Sequence, residues 1–246
     1  MKKVILTGAD GFIGRNLLKE LVDNRYFVYA IVRDVEKAKL LTKMTKSVKY
    51  LSYSMEQYSQ LSKEKELEKC DAILHFAWAG VSNVEDQSYM KQLDNVKYSC
   101  DLLESAKKLQ ISTFLYAGSL MEFEHLKAFS EGYYDVSIRN IYHVAKNAAR
   151  NMLQILANNY KIRFLPITIS NVYGVGEISN RLINTAIRNM IANKKMGFTS
   201  AEQLYDFIYI EDAARAIRTV LEKGKANTNY YIGNQKQRAL KQFIID

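Results

Sequence analysis

The sequence has little cysteine, histidine and proline for a chain of 246 residues: two cysteines, three histidines and one proline. Cys70 and Cys100 are too few for a disulfide framework. No cysteine or histidine pair stands at the spacing of zinc ligands, so a zinc site is excluded. The single proline, Pro166, leaves no proline-rich linker. The composition therefore indicates a continuous fold without a metal site.

Long hydrophobic runs are absent as well. No stretch approaches the roughly 20 apolar residues of a membrane span. The first residues, MKKVILTGADGFIG, reach a glycine and Asp10 before a signal-peptide core forms. With 48% hydrophobic and 25% charged residues, the chain can fill a large core and lacks the composition of a disordered protein. We therefore expect a cytoplasmic protein without a membrane partner.

Basic residues outnumber acidic ones by 35 to 26, which gives a formal net charge of +9. On charge alone, this excess suits a nucleic acid or a polyanionic small molecule. Apart from one group of lysines, the excess is scattered along the chain, as on a solvated basic surface. That group is Lys37, Lys39, Lys43, Lys46 and Lys49. We therefore do not expect a nucleic-acid partner.

Short β-branched runs alternate with longer helical patterns through most of the chain. The pattern predicts strands at 3–7, 27–32, 48–52, 72–76, 112–117 and 163–169, and helices at 12–22, 84–109 and 138–159. Parallel strands need crossover connections, and those crossovers cover both faces of the sheet. The predicted fold class is therefore α/β, with a doubly wound parallel sheet.

The segment TGADGFIG lies between the first predicted strand and the first predicted helix. Gly8 allows a tight turn, Gly11 lets the backbone approach a pyrophosphate, and Gly14 lets the helix pack on the strand. The N–H groups and the positive dipole end of the helix favour phosphates. This context predicts a Rossmann-type dinucleotide site, with the cofactor at Gly8, Gly11, Phe12, Ile13 and Gly14.

After Gly174 the alternation loosens. A helix at 179–192, a strand at 206–210, a helix at 211–223 and a short strand at 229–232 are predicted there. We assign residues 1–170 to the dinucleotide-binding domain. Residues 171–246 are predicted to form a small substrate-binding lobe, interleaved with the last strand of the sheet.

The residue after the second predicted strand bears on the choice of cofactor. An acidic residue that binds the adenosine ribose is expected about 20 residues beyond the glycines. Arg33 stands first after FVYAIV, followed by Asp34. Because a guanidinium can hold a 2′-phosphate with two hydrogen bonds, Arg33 favours NADP. The alternative is that Asp34 binds the ribose of NAD while Arg33 faces solvent.

A second set of chemical groups consists of Ser119, Tyr142 and Lys146. With 17 tyrosines in the chain, a Tyr-x-x-x-Lys spacing is common by chance, so its position carries the argument. Tyr142 and Lys146 share one face at the start of a predicted helix. Ser119 ends the strand before it, at the sheet edge where ligands bind. A tyrosine acting near neutral pH needs a neighbouring cation to stabilise its phenolate, and Lys146 is the candidate.

Taken in order, these motifs resemble the extended short-chain dehydrogenase/reductases of the nucleotide-sugar epimerase/dehydratase family. The resemblance covers essentially the whole chain. The matching elements are TGADGFIG, ILHFAWAG, Asn95, AGSLMEF, YHVAK, SNVYGVGE and DFIYIEDAARAI.

The resemblance implies a role for each matching residue. Tyr142 exchanges a proton with the sugar oxygen, and Ser119 hydrogen-bonds the same oxygen. Lys146 holds the nicotinamide ribose and lowers the pKa of the tyrosine. Ala77 and Trp78 line the cofactor cleft. Asn171 and Arg181 are implied to contact the substrate, and His75 is expected to pack inside the fold.

Three departures from the family pattern limit what the resemblance implies. Leu120 and Met121 stand where dehydratases carry an acid that helps to eliminate water, which disfavours a dehydratase. Tyr205 replaces the basic residue that often grips the nucleotide diphosphate, which leaves Arg181 as the substitute. Relatives usually continue for several tens of residues past ALKQFIID, so part of the substrate lobe is expected to be missing.

The leading interpretation is an NADP-dependent oxidoreductase that reduces a nucleoside-diphosphate 4-keto-sugar. A nucleotide-sugar 4-epimerase with bound NAD remains open, because both enzymes use the same residues. Reductases of non-sugar carbonyls are disfavoured by SNVYGVGE. A cofactor-binding regulator or RNA-binding member of the family is the alternative from another class, and it commonly lacks the Ser, Tyr and Lys found here. A homodimer is considered as the assembly.

Overall fold

A computed structural model describes residues 1–42, 45–80, 88–132 and 140–245, and it confirms the predicted α/β fold. The strands are β1 Lys3–Thr7, β2 Phe27–Val32, β3 Val48–Ser52, β4 Ala72–His75, β5 Thr113–Ser119, β6 Arg163–Ile169, β7 Asn171–Tyr173, β8 Leu204–Tyr205, β9 Phe207–Tyr209, β10 Tyr230–Ile232 and β11 Arg238–Ala239. The helices are α1 Phe12–Asp23, α2 Val35–Leu41, α3 Tyr89–Lys108, α4 Met121–Ser130, α5 Asn140–Asn159, α6 Leu182–Ile191, α7 Ile210–Lys223 and α8 Leu240–Ile245.

Seven strands form one parallel sheet in the order β10-β6-β5-β4-β1-β2-β3. The chain winds outwards from β1 through β2 to β3, and then returns to the other side of β1 with β4. In doubly wound sheets, ligands bind in the crevice beyond the carboxyl ends of the strands at this reversal. The ends of β1, β4 and β5 therefore mark the place of the site.

Alternating residues of the strands build two cores, one on each face of the sheet. Val4 and Leu6 belong to the core that α1 and α7 cover. Ile5, between them, belongs to the core that α3 and α5 cover. This alternation follows from the period of two in a strand. Both faces are apolar, as a parallel sheet covered by helices requires.

The region after residue 170 contributes to the main sheet and forms two small sheets of its own. β10 pairs with β6, with Tyr230 opposite Ile167. β7 pairs with β9 in parallel, and β8 pairs with β11 in antiparallel fashion. The strand predicted at 229–232 thus joins the main sheet. The division into domains at residues 170 and 171 stays a prediction.

Element ends differ from the predictions where local bonding decides them. The predicted helix starts at 84 and 138 lie outside the described residues, and α3 begins after Ser88, whose side chain accepts the Lys91 N–H. The helix predicted from 179 begins at Leu182, because Arg181 is extended. The sequence patterns did not predict α2, α4 or the 3₁₀ helix at Met55–Lys63.

Two kinds of feature are absent from the described ranges. No helix in them is both long and apolar enough to cross a membrane. No group of three His, Cys, Asp or Glu side chains in these ranges is placed to hold a metal ion. Both cysteines in them are free thiols.

Candidate active site

The turn between β1 and α1 brings three backbone segments into close contact. Gly8 has a φ of +69°, and a Cβ atom there would lie 2.7 Å from the backbone nitrogen of Ala77. A Cβ atom on Gly14 would lie 1.9 Å from the Gly8 carbonyl oxygen. Among the described residues, no side chain caps the start of α1 at Gly11. The free N–H groups of this helix end suit the pyrophosphate of a dinucleotide. Phe12 and Ile13 form its first turn and are partly buried.

Arg33 and Asp34 lie at the carboxyl end of β2. Arg33 is exposed, and its carbonyl oxygen accepts a hydrogen bond from Ser52 Oγ at 3.1 Å. Asp34 is the N-cap of α2, where its Oδ1 atom accepts the Lys37 N–H at 3.0 Å. The Asp34 carboxylate is therefore engaged by a helix end, whereas the Arg33 side chain faces solvent beside the site.

The loop after β4 carries Ala77 and Trp78, which are both partly buried. Buried Asn95 accepts the Ala79 N–H at 2.9 Å and donates to the Ala79 carbonyl oxygen at 3.0 Å. The Trp78 indole N–H donates to Gln92 Oε1 at 2.8 Å. Helix α3 therefore fixes both the backbone of this loop and the orientation of the indole ring.

A hydrogen-bonded chain lies beneath this loop. Thr7 Oγ1 lies 2.8 Å from His75 Nδ1, and His75 Nε2 lies 2.9 Å from Ser99 Oγ. Because Ser99 donates its proton to the Asn95 carbonyl oxygen, His75 donates from Nε2 and accepts at Nδ1. Burial, followed by the charge of Lys146, lowers the pKa of His75 to about 3. His75 thus packs inside the fold as a neutral ring.

Ser119, Tyr142 and Lys146 meet at the carboxyl end of β5. Ser119 ends the strand, and its hydroxyl lies close enough to the Tyr142 phenol to lower the pKa of that group. Lys146 follows one turn later on α5 and donates to the Ala117 carbonyl oxygen at 2.8 Å. Its Nζ atom lies 3.9 Å from the centre of the Trp78 ring, which meets the Tyr142 ring edge-on. The structure therefore brings the three predicted side chains into one cleft.

Burial dominates the proton equilibria of this cleft. It raises the pKa of Tyr142, an effect that the nearby Ser119 hydroxyl and the charge of Arg181 oppose and the charge of Glu122 reinforces. It also lowers the pKa of Lys146 to about 7. The lowering of the tyrosine pKa by Lys146 stays a prediction. In this structure the lysine ammonium group contacts a backbone carbonyl and the indole ring.

The two predicted substrate residues lie on separate elements of the C-terminal region. Asn171 begins β7, and its backbone N–H donates to the Asp206 carbonyl oxygen at 3.3 Å. Arg181 is the exposed residue before α6. Its charge lowers the pKa of Tyr142, which places the guanidinium within electrostatic reach of the phenol.

Sequence reasoning missed a buried ion pair behind Ser119. Glu122 and Arg150 lie three and 31 residues later in the chain, and their side chains are 0% and 8% exposed. The Ser-x-x-Glu spacing at the start of a helix was the available signal, since it is the pattern of a capping box. Nothing in the sequence linked this glutamate to α5.

Comparison with known proteins finds similar sequences over nearly the whole chain. A model of the NAD dependent epimerase/dehydratase family matches residues 4–233. A CDP-abequose synthase of Salmonella typhimurium is 28% identical over 98% of this chain and 78% of its own length. A dTDP-6-deoxy-L-talose 4-dehydrogenase (NAD(+)) of Aggregatibacter actinomycetemcomitans is 27% identical over 99% of this chain and 90% of its own.

Solved structures share the fold. The UDP-N-acetylglucosamine 4-epimerase from Methanobrevibacter ruminantium M1, in complex with UDP-N-acetylmuramic acid, matches with a TM-score of 0.82 at 18% identity, over 99% of this chain and 80% of that chain. At this identity, the likeness shows the fold alone. The family model, however, spans nearly all of the sequence, from β1 to the residue after β10. The chain therefore belongs to the NAD-dependent epimerase/dehydratase family of extended short-chain dehydrogenase/reductases.

Proposed function

We propose that this protein is an NADP-dependent oxidoreductase that reduces the ketone of a nucleoside-diphosphate 4-keto-sugar. One observation carries the proposal: the Ser119 hydroxyl lies beside the Tyr142 phenol at the carboxyl end of β5, and Lys146 lies one helical turn after Tyr142. Two neighbouring hydroxyls can address a single carbonyl oxygen.

The protonation state of the tyrosine favours reduction. When a ketone becomes an alcohol, its oxygen must gain a proton. Because burial raises the pKa of Tyr142, the phenol stays protonated at neutral pH and can donate that proton. Ser119 Oγ already accepts the Met121 N–H at 3.3 Å, which leaves the serine proton free to bond the same oxygen. Tyr142 is thus the proposed acid, and Ser119 the proposed second donor.

The residues of the first half of the chain fit a dinucleotide. We assign its pyrophosphate to Gly11, Phe12, Ile13 and Gly14, next to the Gly8 turn, and its nicotinamide ribose to Lys146. Ala77 and Trp78 line the same cleft. Arg33 is assigned to the 2′-phosphate, because the neighbouring Asp34 is engaged as a helix cap. When bound, the reduced nicotinamide supplies the hydride.

The substrate class rests on the relatives and on the C-terminal region. One relative is named as a 4-dehydrogenase of a dTDP-6-deoxysugar and another as a CDP-abequose synthase. We assign Asn171 and Arg181 to the nucleotide sugar, with the guanidinium facing the diphosphate. A dehydratase is disfavoured because Leu120 and Met121 bring no acid to the cleft and the carboxylate of Glu122 is engaged by Arg150.

The test is turnover of NADPH with a panel of nucleotide 4-keto-sugars that differ in base. We expect Tyr142→Phe to bind NADPH normally and to lose at least about 10²-fold in kcat, the usual size of a general-acid contribution. Tyr160→Phe, just after α5 with its ring under Lys107, is the control and should keep wild-type turnover. An unchanged rate for Tyr142→Phe contradicts the assignment.

The same assay distinguishes a reductase from a 4-epimerase. A reductase consumes one NADPH for each sugar. A 4-epimerase, the activity named for one of the solved structures, inverts a sugar without net consumption. Inversion of an unoxidised nucleotide sugar with bound NAD would replace the proposed reduction by epimerisation.

We also propose that the protein is a homodimer, formed through the outer faces of α3 and α5. These two helices pack side by side on one face of the sheet. They nevertheless leave large apolar side chains exposed, which a soluble monomer rarely does over a contiguous area. The exposed side chains are Tyr89, Met90, Leu93, Val144, Met152 and Ile155.

A further inference from the structure

The carboxylate of Glu122 lies behind Ser119, in the first turn of α4. It is completely buried, with 0% of the side chain exposed. Its Oε1 atom accepts the backbone N–H of Ser119 at 2.7 Å. Its Oε2 atom accepts the Nε–H of Arg150 at 2.5 Å. One carboxylate therefore joins the backbone of Ser119 to α5, the helix that carries Tyr142 and Lys146.

Arg150 extends this connection towards the edge of the sheet, to β6 and to the residue before β10. It lies one turn after Lys146 on α5, so it shares that face of the helix. Its Nη2 atom donates to the Ile167 carbonyl oxygen at 3.0 Å and to Thr168 Oγ1 at 3.2 Å. Its Nη1 atom donates to Asn229 Oδ1 at 2.9 Å. The guanidinium thus ties α5 to β6 and to the residue before β10.

The backbone of β5 is shaped around this ion pair. A Cβ atom on Gly118 would lie 2.1 Å from Arg150 Nη2 and 2.8 Å from Glu122 Oε1. Both distances are shorter than any van der Waals contact, so the pair fits only beside a residue without a side chain. Gly118, Ser119 and Glu122 are therefore parts of one arrangement, spelled out in the sequence as AGSLME.

A helix cap alone does not account for this arrangement. The glutamate of a capping box needs only to reach the backbone N–H at the start of its own helix. Here the carboxylate and a guanidinium are both withdrawn from water, which costs more than a surface cap. The two buried charges lie where the strand that ends in Ser119 passes the helix that carries Tyr142.

We propose that Glu122 and Arg150 are positioning residues, which hold the backbone of Ser119 against α5 so that the Ser119 and Tyr142 hydroxyls address one substrate oxygen. The proposal rests on the reductase function proposed above. It assigns no contact with the substrate to either residue. Their effect passes through the Ser119 N–H, which the glutamate side chain holds.

The charges of the pair act on the same cleft. Glu122 raises the pKa of both Tyr142 and Lys146, and Arg150 lowers the pKa of Lys146. The effects of the two charges on the pKa of Lys146 therefore cancel in part. Removal of both charges therefore leaves the lysine closer to its present state than removal of either one, and a paired substitution is the sharper test.

Two double variants separate the backbone tether from the ion pair. E122Q/R150M removes both charges and keeps a side-chain oxygen for the Ser119 N–H. E122L/R150M removes both charges and that oxygen. We expect E122L/R150M to lose on the order of 10²-fold in kcat, as a small misplacement of a reacting group does. We expect E122Q/R150M to recover most of this loss, with NADPH affinity unchanged in both.

The comparison of the two double variants excludes a general loss of stability. Their melting temperatures should agree within a few degrees, since both lack the ion pair. E20Q/R218M removes another interhelical pair, between α1 and α7, and should keep wild-type kcat. Equal kcat in the two double variants, whether high or low, overturns the proposal, because the Ser119 N–H acceptor is then without effect on the reaction.

A readout without substrate tests the inference apart from the proposed function. The ¹³Cζ signal of Tyr142, assigned with Tyr142→Phe, reports the state of its hydroxyl. We expect E122Q/R150M to keep the wild-type signal and E122L/R150M to shift it, because the Ser119 hydroxyl then moves relative to the phenol. If no sugar is turned over but this difference is seen, the proposed function fails and the positioning role stands. If the two variants give the same signal, the positioning role fails.

Discussion

Adjacent residues at the end of β2 have different tasks. Asp34 caps α2 through its carboxylate, and this bond holds the start of the helix. Arg33 is exposed and follows the carboxyl end of β2, next to the end of β1 where the glycine-rich turn begins. A ribose bound by Asp34 would have to share the carboxylate with the Lys37 N–H. The choice between NADP and NAD therefore depends on a helix cap as well as on the charge of Arg33.

We predict that Arg33→Ala weakens NADP and leaves NAD almost unchanged, because only NADP carries the 2′-phosphate. The expected loss is about 1.5 to 3 kcal/mol, or roughly tenfold to a hundredfold in affinity, the range for hydrogen bonds to charged groups. Titration of both cofactors against wild type and variant measures it. Lys19→Ala, which removes an exposed positive charge from α1, is the control for general electrostatics.

Two results would assign the ribose to Asp34 instead. One is an equal loss of affinity for both cofactors in Arg33→Ala. The other is tighter binding of NAD than of NADP by the wild type.

Local spacing explains which residues were predictable. The glycines of the first turn lie within seven residues, and Tyr142 and Lys146 lie within one helical turn, so a sequence window contains each group. Glu122 and Arg150 are 28 residues apart on different helices, and only the packing of α4 and α5 brings them together. The pKa of Lys146 could not be predicted from the sequence either, because it depends on burial beneath Trp78.

Among helices and strands, too, local patterns were predictable and features that depend on packing were not. The central strands were predicted within one or two residues, because buried parallel strands are continuous β-branched runs. Short helices such as α2 were not predicted, because a side-chain cap rather than apolar periodicity defines them. Helices α3 and α5 were predicted, but the periodicity did not show that part of their apolar surface stays uncovered in a single chain.

We predict that Ile155→Asp weakens self-association. Ile155 is 69% exposed on α5, and a charge there would be buried without a partner in an α3/α5 interface. Analytical ultracentrifugation over a concentration series should show a dimer for the wild type and a shift towards monomer for the variant. Leu40→Asp, at a still more exposed apolar position on α2, should leave the association unchanged. A monomeric wild type, or a dimer that Ile155→Asp does not weaken, contradicts this interface.

At the scale of the whole molecule, acid stability depends on His75. Its pKa is lowered to about 3 in the folded protein, against about 6.5 in an unfolded chain. Between these values, the unfolded state binds the proton and the folded state does not. The contribution of His75 to the free energy of unfolding is therefore fully present above pH 6.5. It falls as the pH is lowered towards 3, by up to about 1.4 kcal/mol per pH unit.

We predict that His75→Gln removes this part of the pH dependence. The variant should be less stable than wild type at pH 7 to 8, where the offset between the two is constant, because the bonds to Thr7 and Ser99 are disturbed. Below pH 6.5, the offset should shrink by up to about 1.4 kcal/mol per unit. Urea unfolding at a series of pH values measures it. An offset that stays constant down to pH 4 would show that His75 does not remain neutral when the protein folds.

The pairing of β10 with β6 has a consequence for the order in which the molecule is completed. Residues 230–232 pair with residues 167–169. The outer strand of the sheet is therefore added only after a much later part of the chain has been synthesised. Until then, the edge of β6 is open to pairing with other chains. Asn229, which directly precedes β10, also accepts from Arg150. During synthesis on the ribosome, the support behind Ser119 is therefore finished only after the nascent chain has passed residue 229.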